Sequence, residues 1–245
     1  MKPYSSEEYV PYNSINAIVP IAIRIVNPTS VVDIGCGRGA WLKSFMNHGI
    51  TDVIGVDGKW MEGKIVIPKD KFIGHDLTHP LELNRRFDLA VCLEFAEHIG
   101  KEHSSRIVSM LTSLSHVVMF SAAIPGQDGD HHVNEQWPDY WAALFAKYGY
   151  VPVDTIRGKI WNDSRVDWAY AQNTIFFVDS VALVQYPSMT IITLNENMLS
   201  IVHPKLYAAK CVAATRWYII LKKIWLKVFG YGLNPAKTKI EELVS

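Results

Sequence analysis

The 245-residue chain is long enough for one α/β domain with an appendage, and 49% of its residues are apolar, which excludes wholesale disorder. Its 24 Lys and Arg balance its 24 Asp and Glu, but residues 181–245 hold eight basic against three acidic side chains, leaving that tail at +5 and residues 1–180 at −5. The first part therefore has no bulk polyanion-binding charge, and attraction to nucleic acid or membrane falls to the tail or a local patch.

Three scattered cysteines (Cys36, Cys92, Cys211) form neither a disulfide framework nor a zinc spacing. The first residues lack a signal-peptide apolar run, and no stretch is apolar enough to span a membrane, so a cytoplasmic location is expected. In chain order, the pattern predicts a helix over 13–26 with a kink at Pro20, a buried strand over 30–34, and a helix over 40–47. Strands follow over 52–56, 71–73 and 87–93, then a helix over 104–114 and a strand over 116–121. A helix over 139–148 starts at Pro138, and strands over 151–156 and 174–178 close the series, the last ending at Val178 or running on to Val184. Strands alternating with helices predict a parallel, Rossmann-like sheet covered on both faces. The rhythm stops near Tyr186, which divides the chain into a domain over 1–185 and an extension over 186–245. Within that extension 206–229 reads as one long helix, ended by Gly230 or Gly232.

The segment Asp33-Ile34-Gly35-Cys36-Gly37-Arg38-Gly39 follows the first strand. Glycines at alternate positions allow a sharp turn and close backbone approach to a ligand, at the strand end where α/β sheets bind ligands. The spacing is G-x-G-x-G, not the dinucleotide G-x-G-x-x-G. Asp57 ends the second strand about twenty residues on, where a carboxylate accepts from both hydroxyls of a ribose. Trp60 covers an adenine face or packs in the core. Asp76 accepts an adenine amino proton, with Leu77 against the ring, or else caps a helix over 78–83.

Together, Asp33 to Gly39, Asp57, Asp76-Leu77 and Phe87-Asp88-Leu89-Ala90-Val91-Cys92-Leu93-Glu94 resemble the successive motifs of class I S-adenosylmethionine-dependent methyltransferases, over about residues 28–180. The resemblance implies a seven-stranded sheet whose last strand is antiparallel. It implies S-adenosyl-L-methionine as cofactor, with its methionine end near Asp33, Gly35 and Gly37, its ribose at Asp57, its adenine at Asp76 and Leu77, and its methyl group facing Glu94.

Glu94, Glu97 and His98 lie at i, i+3 and i+4, so a helical turn here would put all three on one face. The long polar loop 123–138 adds His131, His132 and Glu135. An imidazole takes a proton from an acceptor hydroxyl, so either His131 or His132 is a candidate base, with Glu94 on the substrate side. Glu135 serves the site or caps the helix that follows. Glu94, Glu97, His98 and His132 form a candidate ligand set for Mg²⁺ or Mn²⁺. The pairing resembles both the metal-assisted O-methyltransferases of ubiquinone and sugar biosynthesis and the small-RNA 3′-terminal 2′-O-methyltransferases. Tyr170 to Asn173 and Trp161 to Trp168 mix aromatic and polar groups suited to a sugar.

The expected function is O-methylation of a hydroxyl on a small-molecule, sugar or glycan acceptor. RNA ribose 2′-O-methylation is the first alternative, disfavoured by the −5 of residues 1–180. A catalytically silent cofactor-binding scaffold is the second. In the 206–229 helix, Leu206, Val212, Trp217, Ile220, Leu221, Ile224, Trp225 and Val228 are punctuated by Lys210, Arg216, Lys222, Lys223 and Lys227. Such a helix docks on its own chain or a dimer partner, or lies on an anionic membrane surface.

Overall fold

A computed structural model describes residues 10–190 and 198–229 of the chain. Seven strands form one sheet: β1 (Ser30–Ile34), β2 (Asp52–Asp57), β3 (Phe72–Gly74), β4 (Leu89–Leu93), β5 (Val117–Ser121), β6 (Tyr150–Val153) and β7 (Ile175–Asp179). The spatial order is β3-β2-β1-β4-β5-β7-β6, and β7 runs antiparallel to both β5 and β6. The other pairs are parallel. The Rossmann-like sheet with an antiparallel last strand is thus as expected. The chain leaves β1 toward β2 on one side and returns to β4 on the other, which opens a crevice at the carboxyl ends of β1 and β4.

The central strands are buried along their whole length, so alternate residues feed two cores. Val31, Leu89, Val91 and Leu93 pack with Ile18, Val19 and Ala22 of α1 (Tyr12–Val26) and Leu42 and Phe45 of α2 (Ala40–Asn47). Val32, Ile34, Ala90 and Cys92 pack with Ile107, Val108 and Leu111 of α3 (Ser104–Leu114) and Trp141 and Phe145 of α4 (Pro138–Ala146). Pro20 lies inside α1, and Asn27 at φ +50° closes that helix by donating its N–H to the Ile23 carbonyl.

Three expectations change. Residues 78–83 are not helical: Asp76 Oδ1 accepts from Thr78 N–H and hydroxyl, making a local turn. Pro80 bars the preceding residue from helical backbone. Phe87 makes only a bridge to Ser115, so β4 starts at Leu89. β7 stops at Asp179, whose Oδ1 accepts from Val181 N–H and turns the chain away. Short helices α5 (Arg157–Ile160) and α6 (Trp168–Asn173), unforeseen, fill the connection from β6 to β7. The fully buried Arg157 anchors it, pairing with Asp154 at 2.8 Å and donating to the Leu199 carbonyl at 2.8 Å.

After α7 (Pro187–Thr190), packing divides the chain between His203 and Pro204. Met189, Leu199 and His203, in the segment read as extension, are buried in the first unit. The second unit's described residues form one helix, α8 (Pro204–Phe229). No helix among the described residues is long and apolar enough to cross a membrane.

Candidate active site

The turn after β1 takes three glycines into left-handed backbone: Gly35 at φ +76°, Gly37 at +52° and Gly39 at +80°. At Gly35 the need is also steric, because a Cβ would sit 2.1 Å from the Phe95 ring. The Gly35 and Cys36 N–H groups donate to the Val56 carbonyl at 2.9 and 3.1 Å, which ties the turn to the end of β2. Asp57 completes the tie, with Oδ2 accepting from Gly37 N–H at 2.7 Å and Oδ1 from Gly58 N–H at 2.6 Å. The loop and the acid at the second strand end are therefore one rigid unit.

A cavity opens over this turn. Gly35, Gly37, Asp57, Trp60, Asp76, Leu77, Glu94 and His98 all line it, joined by Trp41 and Tyr170. Trp60 is 38% exposed and lines the cavity, so it does not pack in the core. The hydrogen bonds from Thr78 are the first reason that the Asp76 carboxyl is held below its ordinary range. Its turn-forming role replaces the expected helix cap.

Asp33 is not on the cavity wall. It is 2% exposed within the central strand, and burial, then the neighbouring Asp57, push its carboxyl well above the carboxylate range.

Glu94 sits at φ +48°, after β4, with its N–H donating to the Ser121 carbonyl and hydroxyl. Asn173 Nδ2 donates to its Oε1 at 3.2 Å and Gln127 Nε2 to its Oε2 at 3.0 Å. Burial raises its carboxyl, and those amides pull the other way. The helical turn that would put Glu94, Glu97 and His98 on one face starts too late to include Glu94, since it spans only Ala96–His98. Glu94 thus falls outside the ligand cluster expected of it.

The cluster that does form is Glu97, His98 and His132, each with a ligand atom within 4.8 Å of the others. Glu97 is wholly buried, and neither carboxylate oxygen has a partner at full hydrogen-bonding geometry. Burial first, and Glu94 second, push its carboxyl well up, offset only in part by backbone N–H groups at Glu97 and Ala123. His98 meets His132 edge to face at 5.0 Å, and burial, then His132, push it down to about 4, so the ring is neutral at pH 7.

The two adjacent histidines part company. His131 adopts φ +59° and is exposed, while His132 turns inward beside His98. Gly129 makes the room, because a Cβ there would lie 2.3 Å from the His132 ring. Glu135 does not cap α4: its Oε1 meets His132 Nδ1 at 3.0 Å and its Oε2 accepts from Gly126 N–H at 2.7 Å.

Residues missed in the sequence are Gln127, Gly129 and Ser121, while Asn173, read there as part of an acceptor face, holds Glu94 instead. Gln127 and Asn173 also bond each other at 2.9 Å, across 46 positions of chain. Of the aromatic-polar segment expected to face an acceptor, Tyr170 reaches the cavity, edge-on to Trp41 at 5.4 Å. Trp161 instead packs on His203 at 4.6 Å.

A family model described as a methyltransferase domain matches residues 8–162. No curated protein matches the chain in sequence. Among solved structures, magnesium protoporphyrin IX methyltransferase from Synechocystis PCC 6803 with bound SAH aligns at TM-score 0.51 and 18% identity, over 69% of this chain and 83% of that one. The plantazolicin methyltransferase BpumL, in complex with a monoazolic desmethylPZN analog and SAH, aligns at TM-score 0.50 and 14% identity, over 69% and 83%. At these identities the likeness establishes a shared fold.

Proposed function

The chain belongs to the methyltransferase-domain family, as a class I S-adenosylmethionine-dependent methyltransferase in motifs and fold, and on that premise we propose that it methylates a hydroxyl of a sugar or glycan. The observation that carries the hydroxyl reading is the Glu135–His132 pair behind His98 on the cavity wall. S-adenosyl-L-methionine supplies the methyl group, beside the Gly35–Gly37 turn and Asp57. Asp57 accepts from the ribose hydroxyls, Trp60 and Leu77 flank the adenine, and Asp76 accepts from its amino group. Glu94, held by Asn173 and Gln127, faces the acceptor end. Trp41 and Tyr170, which line the cavity with Glu94 and His98, suit the mixed apolar and hydroxyl faces of a sugar ring.

Glu135 accepts the Nδ1 proton of His132, which leaves Nε2 free to take the hydroxyl proton as the acceptor oxygen attacks the methyl carbon and the carbon–sulfur bond breaks. Glu97, His98 and His132 fit a divalent cation, because a cation would answer the poorly satisfied Glu97 oxygens and the two imidazoles offer ring nitrogens beside them. When bound, such an ion lowers the hydroxyl pKa and orients the oxygen. A donor set of two nitrogens and one carboxylate suits Mn²⁺ better than Mg²⁺, which prefers oxygen. The two roles use the same His132 nitrogen and exclude one another.

An acceptor screen read by S-adenosylhomocysteine release, with and without EDTA, tests the reading. Turnover on sugars or nucleotide sugars, abolished in His132→Ala, is expected. Activity confined to amine, thiol or RNA acceptors would overturn it.

A further inference from the structure

We propose that α8 is a membrane-surface helix, seating its apolar face among the acyl chains of an anionic bilayer and its cations among the phosphate headgroups. The inference does not depend on the acceptor chemistry.

The C-terminal half of the described helix carries the pattern. Trp217, Ile220, Leu221, Ile224 and Trp225 fall at i, i+3, i+4, i+7 and i+8, which at 3.6 residues per turn is one continuous stripe. Trp217 is 65% exposed, Leu221 59% and Ile224 54%, values unusual for large apolar groups and adjacent on one face. Arg216 and Lys223, seven residues apart, share a line along one edge of the stripe, and Lys222 lies beyond its other edge. Through Trp225, Ile219 is the one large apolar side chain opposite the stripe, and Tyr218 lies at its border.

Charge selects the occupant. The 26 residues of α8 hold six Lys or Arg and not one Asp or Glu. A second copy laid along this face would bring cations against cations, with no acid in the helix to offset them. A protein groove rewards the apolar stripe but gives no general reason for a helix without acids. An anionic bilayer rewards both: acyl chains take the stripe, headgroups take the cations, and Trp and Tyr favour the boundary between them. The same cations prevent the helix from crossing the bilayer, in keeping with the absence of a spanning helix among the described residues.

The test is flotation of the full chain with vesicles of phosphatidylcholine, with and without phosphatidylglycerol. Binding to the anionic vesicles is expected, falling steeply as salt rises. Lys222→Gln/Lys223→Gln should weaken partition by about thirtyfold, from roughly fivefold per cation removed near the surface. Leu221→Asp/Ile224→Asp should weaken it by at least about tenfold, since it strips the stripe. Both pairs are exposed, so unchanged thermal unfolding is expected, and the wild-type salt titration needs no variant. Equal binding to neutral vesicles, partition insensitive to salt, or unchanged partition in both variants would overturn the proposal. So would a wild-type dimer held through this helix, or an RNA complex, in the absence of a vesicle-bound fraction.

Discussion

Gly35 and Gly37 are two residues apart, share the left-handed backbone, and differ in what surrounds them. An alanine at either position pays about 1–2 kcal/mol for that backbone. At Gly35 the new methyl also lands 2.1 Å from the Phe95 ring, which is itself buried in the second core. Overpacking of that kind adds about 1–3 kcal/mol. Gly35→Ala should therefore cost about 2–5 kcal/mol, and at about 2–4 °C per kcal/mol for a chain of this size should lower Tm by about 4–20 °C. Gly37 has no atom within 4 Å of the added Cβ and lines the cavity. Gly37→Ala should lower Tm by only about 2–8 °C. Its methyl occupies space that the cofactor needs, so S-adenosylhomocysteine affinity should fall by more than about tenfold, about 1.4 kcal/mol. Differential scanning calorimetry with ligand titration measures both. Equal Tm losses in the two variants, or a Gly35→Ala protein as stable as wild type, would refute the account of the turn.

His132→Ala should lower kcat by about 10²–10⁴-fold with S-adenosylhomocysteine affinity intact, and Glu135→Ala by about 10–100-fold; wild-type turnover in both would remove the pair from the chemistry. Arg157→Met leaves Asp154 without its buried partner and should cost about 3–5 kcal/mol in urea unfolding, and a loss under about 1 kcal/mol would show that the β6–β7 connection does not depend on it. Asp88 opposes burial with hydrogen bonds from Thr29 and Ser30 that hold its carboxyl below the ordinary range. Its folded pKa being depressed, the contribution is present above about pH 4 and is lost as pH falls through the folded value. Asp88→Ala should therefore lower the urea midpoint at pH 7, and the gap to wild type should narrow on acidification; a gap that widens would reverse the sign argued here.

The strands were readable where burial on both faces leaves an unbroken apolar run. The segments over 30–34 and 40–47 coincide with β1 and α2 because the glycine turn punctuates them on both sides. Leu77 and Leu81, four apart, mimic a helical spacing, but Pro80 and the Asp76–Thr78 turn decide the backbone there. In the site, Gly35, Gly37 and Asp57 were legible because their roles are local: a turn and the strand end beside it. His131 and His132 were not separable, since one backbone angle at His131 and the missing side chain at Gly129 choose between them. The Glu94 amides were invisible for another reason. Gln127 and Asn173 lie 33 and 79 positions from the acid they hold, and no local pattern encodes such a pairing. Arg157 likewise reads as a surface cation until Leu199 is folded over it.

The central claim is that the cavity at the ends of β1 and β4 binds S-adenosylmethionine through the glycine turn and Asp57. Calorimetric titration with S-adenosylhomocysteine tests it most directly. Saturable heat at one ligand per chain is expected, with an affinity lower by at least about tenfold in Asp57→Ala, the loss of one charge-assisted hydrogen-bonding site. No heat with the wild-type chain, or an affinity unchanged in Asp57→Ala, would contradict it.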